Sequence, residues 1–91
     1  MPVNRIEFAN IRSLEDFYRQ LAAQTALPAH FGHNLDALFD VLTTEIAGPM
    51  IIVWHHHDAS APFLGHEHYT ALLSVLHDAA NRRPDIQLFL D

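Results

Sequence analysis

The sequence predicts an α/β chain in which a three-stranded parallel sheet packs with three to four helices, and three observations carry that expectation. Three short runs rich in β-branched and aromatic residues, Val3 to Phe8, Met50 to Trp54 and Ile86 to Leu90, are separated by segments of helical periodicity. Strands that alternate with helices point to a parallel sheet joined by right-handed crossovers. The middle run is continuously apolar and bounded by turn residues, the pattern of a central strand buried on both faces. Finally, 91 residues with 49% hydrophobic and 18% charged content suit one packed domain spanning residues 1–91.

Each element has its own local signal. Val3 to Phe8 is a short strand by its composition. Ser13 then precedes Leu14, Phe17, Tyr18 and Leu21 at i, i+3, i+4 and i+7, with Asp16 placed to complete a variant capping box. Leu27-Pro28 breaks that helix and Gly32 supplies a tight turn. Asn34 can cap a second helix whose apolar stripe is Leu35, Leu38, Phe39 and Leu42. Gly48-Pro49 ends this segment ahead of the central strand. Tyr69, Leu72, Leu73, Leu76 and Ala80 form another helical stripe, Pro84 stops it, and Ile86 to Leu90 is the last strand.

Charge is distributed unevenly. The formal net charge is −6, yet residues 1–19 and residues 82–91 each sum to zero. Between Gln20 and Asn81 there is no Lys or Arg, while Asp36, Asp40, Glu45, Asp58, Glu67 and Asp78 all fall there. Binding a nucleic-acid backbone needs clustered cationic side chains, so direct nucleic-acid binding is excluded and a cationic partner is indicated. Acidic surfaces also serve solubility alone. The absence of cysteine fits a reducing compartment. Met1-Pro2-Val3-Asn4 has no basic leader and no apolar run is long enough to span a bilayer, so a cytoplasmic protein without membrane association is expected.

Asp36 and Asp40, at i and i+4, project beside the Leu35/Leu38/Leu42 stripe next to the glycine turn. A like-charged pair at this spacing costs roughly 0.2–0.5 kcal/mol unless a cation is set against it. Asp36 in the first turn is favoured by the helix dipole; Asp40, a turn further on, gains little. An ordinary solvated acidic face is the plain alternative.

The run Leu27-Pro28, Phe31-Gly32, Asn34-Leu35-Asp36-Ala37-Leu38-Phe39-Asp40, with Leu42-Thr43 behind it, resembles the central signature of the barstar family, bacterial intracellular inhibitors of barnase-type ribonucleases. The likeness extends through Ile11-Arg12-Ser13, Pro49, Trp54 and Asp85-Ile86. It implies a barstar-like fold and a monomeric, cofactor-free, non-catalytic protein that occludes the active site of a basic ribonuclease. By that resemblance Asp40 is the dominant acidic contact, its carboxylate lying where the enzyme would hold an RNA phosphate, and Asp36 has the neighbouring acidic role. His30 stands where the family commonly has tyrosine, Phe39 where it has tryptophan, His33 where its better-known member has an acid, and Asp78 where it has a glutamate making a secondary contact. Gly32 and Asn34 shape the loop and cap the helix. A protonated His33 has Asp36 within its reach along the sequence as one ion-pair partner in the free protein.

Two further readings compete with inhibition. An acidic adaptor for another basic protein would use the same residues, with His30 and Phe39 retargeting the rim. His55-His56-His57-Asp58 and His66-Glu67-His68 supply five imidazoles, the side chain most used to bind zinc, copper and nickel. Adjacent side chains on an extended strand point to opposite faces, however, and no His-Glu-x-x-His spacing occurs, so a histidine-rich loop without a metal is the simpler expectation.

Overall fold

Ser13 starts the first helix by accepting a hydrogen bond from the Asp16 amide on its hydroxyl oxygen at 3.1 Å. The Asp16 carboxylate returns not to Ser13 but to the Arg12 amide at 3.0 Å, which with Arg19 beside it holds its pKa below the ordinary carboxylate value. The expected capping box thus closes one residue earlier than its usual form. The computed structural model, which describes residues 3–91, contains β1 (Asn4–Phe8), α1 (Leu14–Gln24), α2 (Leu35–Asp40), β2 (Met50–Trp54), α3 (Ala61–Leu64), α4 (His66–Arg82) and β3 (Ile86–Leu90). A π-helical turn, Val41–Glu45, extends α2, and a 3₁₀ turn, His57–Ser60, leads into α3. The start of the chain, Met1 and Pro2, lies outside the described residues.

The three strands are parallel in the order β1-β2-β3, with Ile6 beside Ile52 and Ile52 beside Leu88. Because side chains alternate across a strand, Ile6, Phe8, Met50, Ile52, Trp54 and Ile86 share the face covered by the helices, and all are buried. There Phe8 stacks on Phe17 with ring centroids 3.8 Å apart, and Phe17 meets Trp54 edge-on. The opposite face carries Arg5, Glu7, Ile51, Val53, Gln87 and Phe89. Parallel sheets are ordinarily covered on both sides. Here no helix covers the second side: Val53 in the central strand is buried and Ile51 half-buried, while Phe89 on β3 is 52% exposed. The central strand is nonetheless buried as expected, with only Ile51 half-buried along its length.

The outer edge of β1 is sealed by α1. Gln24 bonds both the amide and the carbonyl of Glu7, at 2.8 and 2.7 Å. Gln20 does the same for Ala9, at 3.1 and 2.8 Å. Two amide side chains thereby replace the fourth strand that an edge invites.

After β2 the histidine-rich stretch does turn, at His55 and His56, but its other histidines lie in helical turns. His57 begins the 3₁₀ turn, and His66, Glu67 and His68 form the first turn of α4, after Gly65 reverses the chain at φ 83°. No helix among the described residues is long and apolar enough to cross a membrane.

Candidate functional site

Past Thr25 the chain has no periodic partner, and its order comes from local turns and α1. The Phe31 amide donates to the Pro28 carbonyl at 3.0 Å and the Asn34 amide to the Gly32 carbonyl at 3.0 Å. The Asn34 side-chain oxygen then caps α2 by accepting from the Ala37 amide at 2.8 Å. A Cβ on Gly32 would stand 3.0 Å from the Asn34 side-chain nitrogen, so glycine clears room for the cap; its φ is not in the left-handed region. Phe31 packs edge-on against Tyr18 of α1 with centroids 5.9 Å apart. His33 reaches the same helix, its Nδ1 2.9 Å from a Glu15 carboxylate oxygen. His33 thus pairs with Glu15 and not with Asp36, because the turn at Gly32 directs the ring back over α1 and not along α2. Tyr18 is buried beneath the loop, which raises its hydroxyl pKa, with Glu15 adding to the effect.

Helix α2 buries Leu38 completely, while Leu35 and Phe39 are half-buried against the core. Phe39 is thus partly committed to packing. Asp36 and Asp40 are exposed, and among the described residues neither carboxylate enters a hydrogen bond or ion pair; the bonds along this segment are the Asn34 cap and the Thr43 and Thr44 hydroxyls donating to the Phe39 and Asp40 carbonyls. Although on one side of the helix, the two aspartates border different grooves. Asp40 lines a shallow groove of about 180 Å³ with Pro28, His30, Phe31, Gly32, Val41 and Glu45. Asp36 lines a wider one of about 360 Å³ with Leu14, Tyr18, His33, Asn34, Leu35 and His68. No Arg or Lys lines either groove. Asp78 is exposed on α4 and borders neither.

Glu45 was not singled out by the local motif, yet it joins Asp40 in one groove. The available signal was the basic-free middle segment, in which Glu45 is the next acid after Asp40. Its placement depends on the π-helical turn, in which the Ile46 amide reaches back to the Val41 carbonyl at 3.1 Å instead of to Leu42. The freed Leu42 carbonyl and that of Ile46 both accept from Arg83 Nη1, at 2.9 and 2.8 Å. The Arg83 guanidinium also forms a two-pronged pair with Asp85, at 3.0 and 2.9 Å, holding the Asp85 carboxyl below its ordinary pKa.

The histidine clusters serve other ends. At the carboxyl ends of the strands, His55 Nε2 lies 2.7 Å from Glu7 and its Nδ1 3.2 Å from Asp91. The hydrogen bond to Glu7, then that to Asp91, raises the His55 pKa, and His55 lowers that of Glu7. The carboxylates occupy opposite ring nitrogens and cannot share one metal ion with the ring. His57 stacks on Tyr69 and pairs with its hydroxyl at 2.7 Å. Among the described residues no three His, Cys, Asp or Glu side chains are placed to hold a metal.

Comparison with known proteins bears on the acidic grooves. A family model described as Barstar (barnase inhibitor) matches residues 1–91. The chain is also 33% identical over 79 residues, 87% of its own length and 82% of the relative's, to a Bacillus subtilis (strain 168) protein named "Putative ribonuclease inhibitor YrdF".

Proposed function

The chain belongs to the barstar family, and from that premise we propose that it is an intracellular, non-catalytic inhibitor that occludes the active site of a basic, barnase-type ribonuclease. The observation that carries the proposal is the Asp40 groove, where two exposed carboxylates, Asp40 and Glu45, lie together with no cationic side chain to neutralise them. Such a cluster costs the free protein repulsion and is stabilised by a partner's cation. In a ribonuclease that cation is the group that binds RNA phosphate, so a carboxylate at Asp40 competes for it directly.

The remaining residues have graded roles. Asp36 steers and contacts at the neighbouring groove; His30 meets the partner on the rim beside Asp40; Phe39 supports the helix from below and offers its exposed edge. Gly32 and Asn34 fix the loop's course into α2. His33, tied to Glu15, holds the loop against α1 and touches the partner at the periphery. Asp78 is a secondary acid on α4, outside the grooves. The inhibitor acts as one domain and is monomeric when free.

The test is a titration of purified chain into barnase and a panel of purified basic ribonucleases, following cleavage of a fluorescent RNA. Expected is stoichiometric loss of activity with at least one enzyme, activity returning when the complex is denatured and the enzyme refolded. No inhibition of any enzyme at micromolar chain would overturn the proposal. Recovery from extract of a basic protein without ribonuclease activity, lost with Asp40→Ala, would transfer the same surface to the adaptor role.

A further inference from the structure

Asp40 and Glu45 are five residues apart. On an uninterrupted α-helix, at about 100° per residue, Glu45 would stand roughly 140° round the axis from Asp40, on another face of the protein. They line one groove because the chain from Val41 to Glu45 takes the wider π-helical turn. Such turns are rare, since each leaves a carbonyl without its ordinary partner. Here that carbonyl is Leu42, and Arg83 Nη1 satisfies it together with Ile46. The Arg83 side chain is 17% exposed and is fixed from behind by Asp85. Gly48 makes the space: a Cβ there would collide with the Asp85 carboxylate and with Arg83 Nη2. Arg83 and Asp85, from beyond α4, and Gly48, three positions past Glu45, thus converge on this turn.

We propose that Arg83 is the positioning residue of the inhibitory surface: by holding Leu42 and Ile46 it keeps residues 41–45 in the wide turn and Glu45 in the groove of Asp40. This deepens the ribonuclease-inhibitor proposal and rests on it for its functional half only. With the guanidinium removed, the Ile46 amide regains its ordinary α-helical acceptor, Leu42, and Glu45 rotates away from Asp40. An ammonium at position 83 can still reach a carbonyl, so Arg83→Lys retains part of the effect, whereas Arg83→Met keeps the aliphatic stem and loses every donor.

Two measurements test the proposal. In the free protein, NMR scalar coupling across the hydrogen bond should link the Ile46 nitrogen to the Val41 carbonyl carbon in wild type. In Arg83→Met it should link Ile46 to Leu42. Persistence of the Val41 coupling in Arg83→Met overturns the proposal whether or not any ribonuclease binds. If Arg83→Met does not fold, Asp85→Asn, which loosens the guanidinium without removing it, should speed amide exchange at Ile46 relative to β2; unchanged exchange overturns it equally. For binding to whichever ribonuclease the panel identifies, Arg83→Met should weaken affinity roughly three- to fivefold, the range of a rim charge pair. It should have almost no effect in a Glu45→Ala background, and Arg83→Lys should recover part of the loss. Equal losses in both backgrounds would mean that Arg83 does not act through Glu45. Absence of inhibition by wild type would overturn the ribonuclease proposal alone and leave the coupling experiment decisive for Arg83.

Discussion

Replacing Asp40 with alanine should move binding and stability in opposite directions. In the free protein the carboxylate is exposed and, among the described residues, accepts no hydrogen bond and forms no ion pair, so its removal strands no partner. Relief of the i, i+4 repulsion from Asp36 contributes about 0.2–0.5 kcal/mol. Alanine's higher helix propensity adds up to about 0.7 kcal/mol. A net stabilisation of roughly 0.5–1 kcal/mol raises Tm by about 2–8 °C for a domain of this length. Asp36→Ala gains the same propensity and the same relief of repulsion but gives up a favourable position in the first turn, about 0.3–1 kcal/mol, and so should raise Tm less than Asp40→Ala. Against a ribonuclease, Asp40→Ala should weaken the complex by at least ~2 kcal/mol, the threshold of a hot spot, a class of contact for which barstar with barnase is itself a standard example. Calorimetric melting of the free variants and titration of ribonuclease activity provide the two readouts. A lower Tm for Asp40→Ala would show that the carboxylate belongs to the fold, and unchanged inhibition would remove it from the interface.

Three other outcomes follow from the same geometry. The His55 pKa is raised, so its contribution to stability is complete below about 6.5, its ordinary value, and is lost as pH rises through the raised one; Glu7, lowered by His55 and Arg5, contributes above 4.5 and loses its part as pH falls through its lowered value. The stability difference between wild type and His55→Gln, from urea unfolding, should therefore be largest between these two pH values and shrink by pH 9; a difference constant with pH would contradict the pairing. Gly48→Ala should destabilise by about 1–3 kcal/mol, as overpacked sites do, by displacing Arg83 and Asp85, and a neutral substitution would show the pair to be loosely held. Association with the ribonuclease, followed by stopped flow, should slow steeply between low and physiological salt while dissociation changes much less; a salt-independent association rate would remove electrostatic steering.

The elements and the acidic helix were legible because their signals are local. Ser13 and Asn34 cap the helices expected of them, and β2 and β3 run over the same five-residue spans the composition marks. What could not be read were the features fixed by contacts between distant residues. The apolar positions Leu38, Val41 and Leu42 fit a continuing α-helix, and the carbonyl that the wide turn leaves free at Leu42 is taken by Arg83, 41 positions further on. His33 finds Glu15 18 positions back and not Asp36 three positions on, because the course of the loop, which periodicity does not determine, sets the ring's direction. Helical spacing placed Asp36 and Asp40 on one side correctly, but the grooves dividing them are made by the loop and α4. The first turn of α4 was missed for a simpler reason: His66, Glu67 and His68 are polar and precede the apolar stripe, so periodicity starts the helix at Tyr69.

The amide seal on β1 also bears on how the chain acquires its first structure. Gln20 and Gln24 reach partners only 11 and 17 positions away, whereas the ladder from Asn4 to Met50 spans 46. Closing the longer loop costs about 0.9 kcal/mol more in chain entropy than closing the 17-residue one. During synthesis α1 also leaves the ribosome well before β2. The amides can therefore satisfy the Glu7 and Ala9 backbone, and Phe17 can cover Phe8, while the strand's eventual neighbour is still unmade. An edge seal in the finished protein thus acts during translation as a placeholder that leaves β1's inner side free for the strand that arrives later.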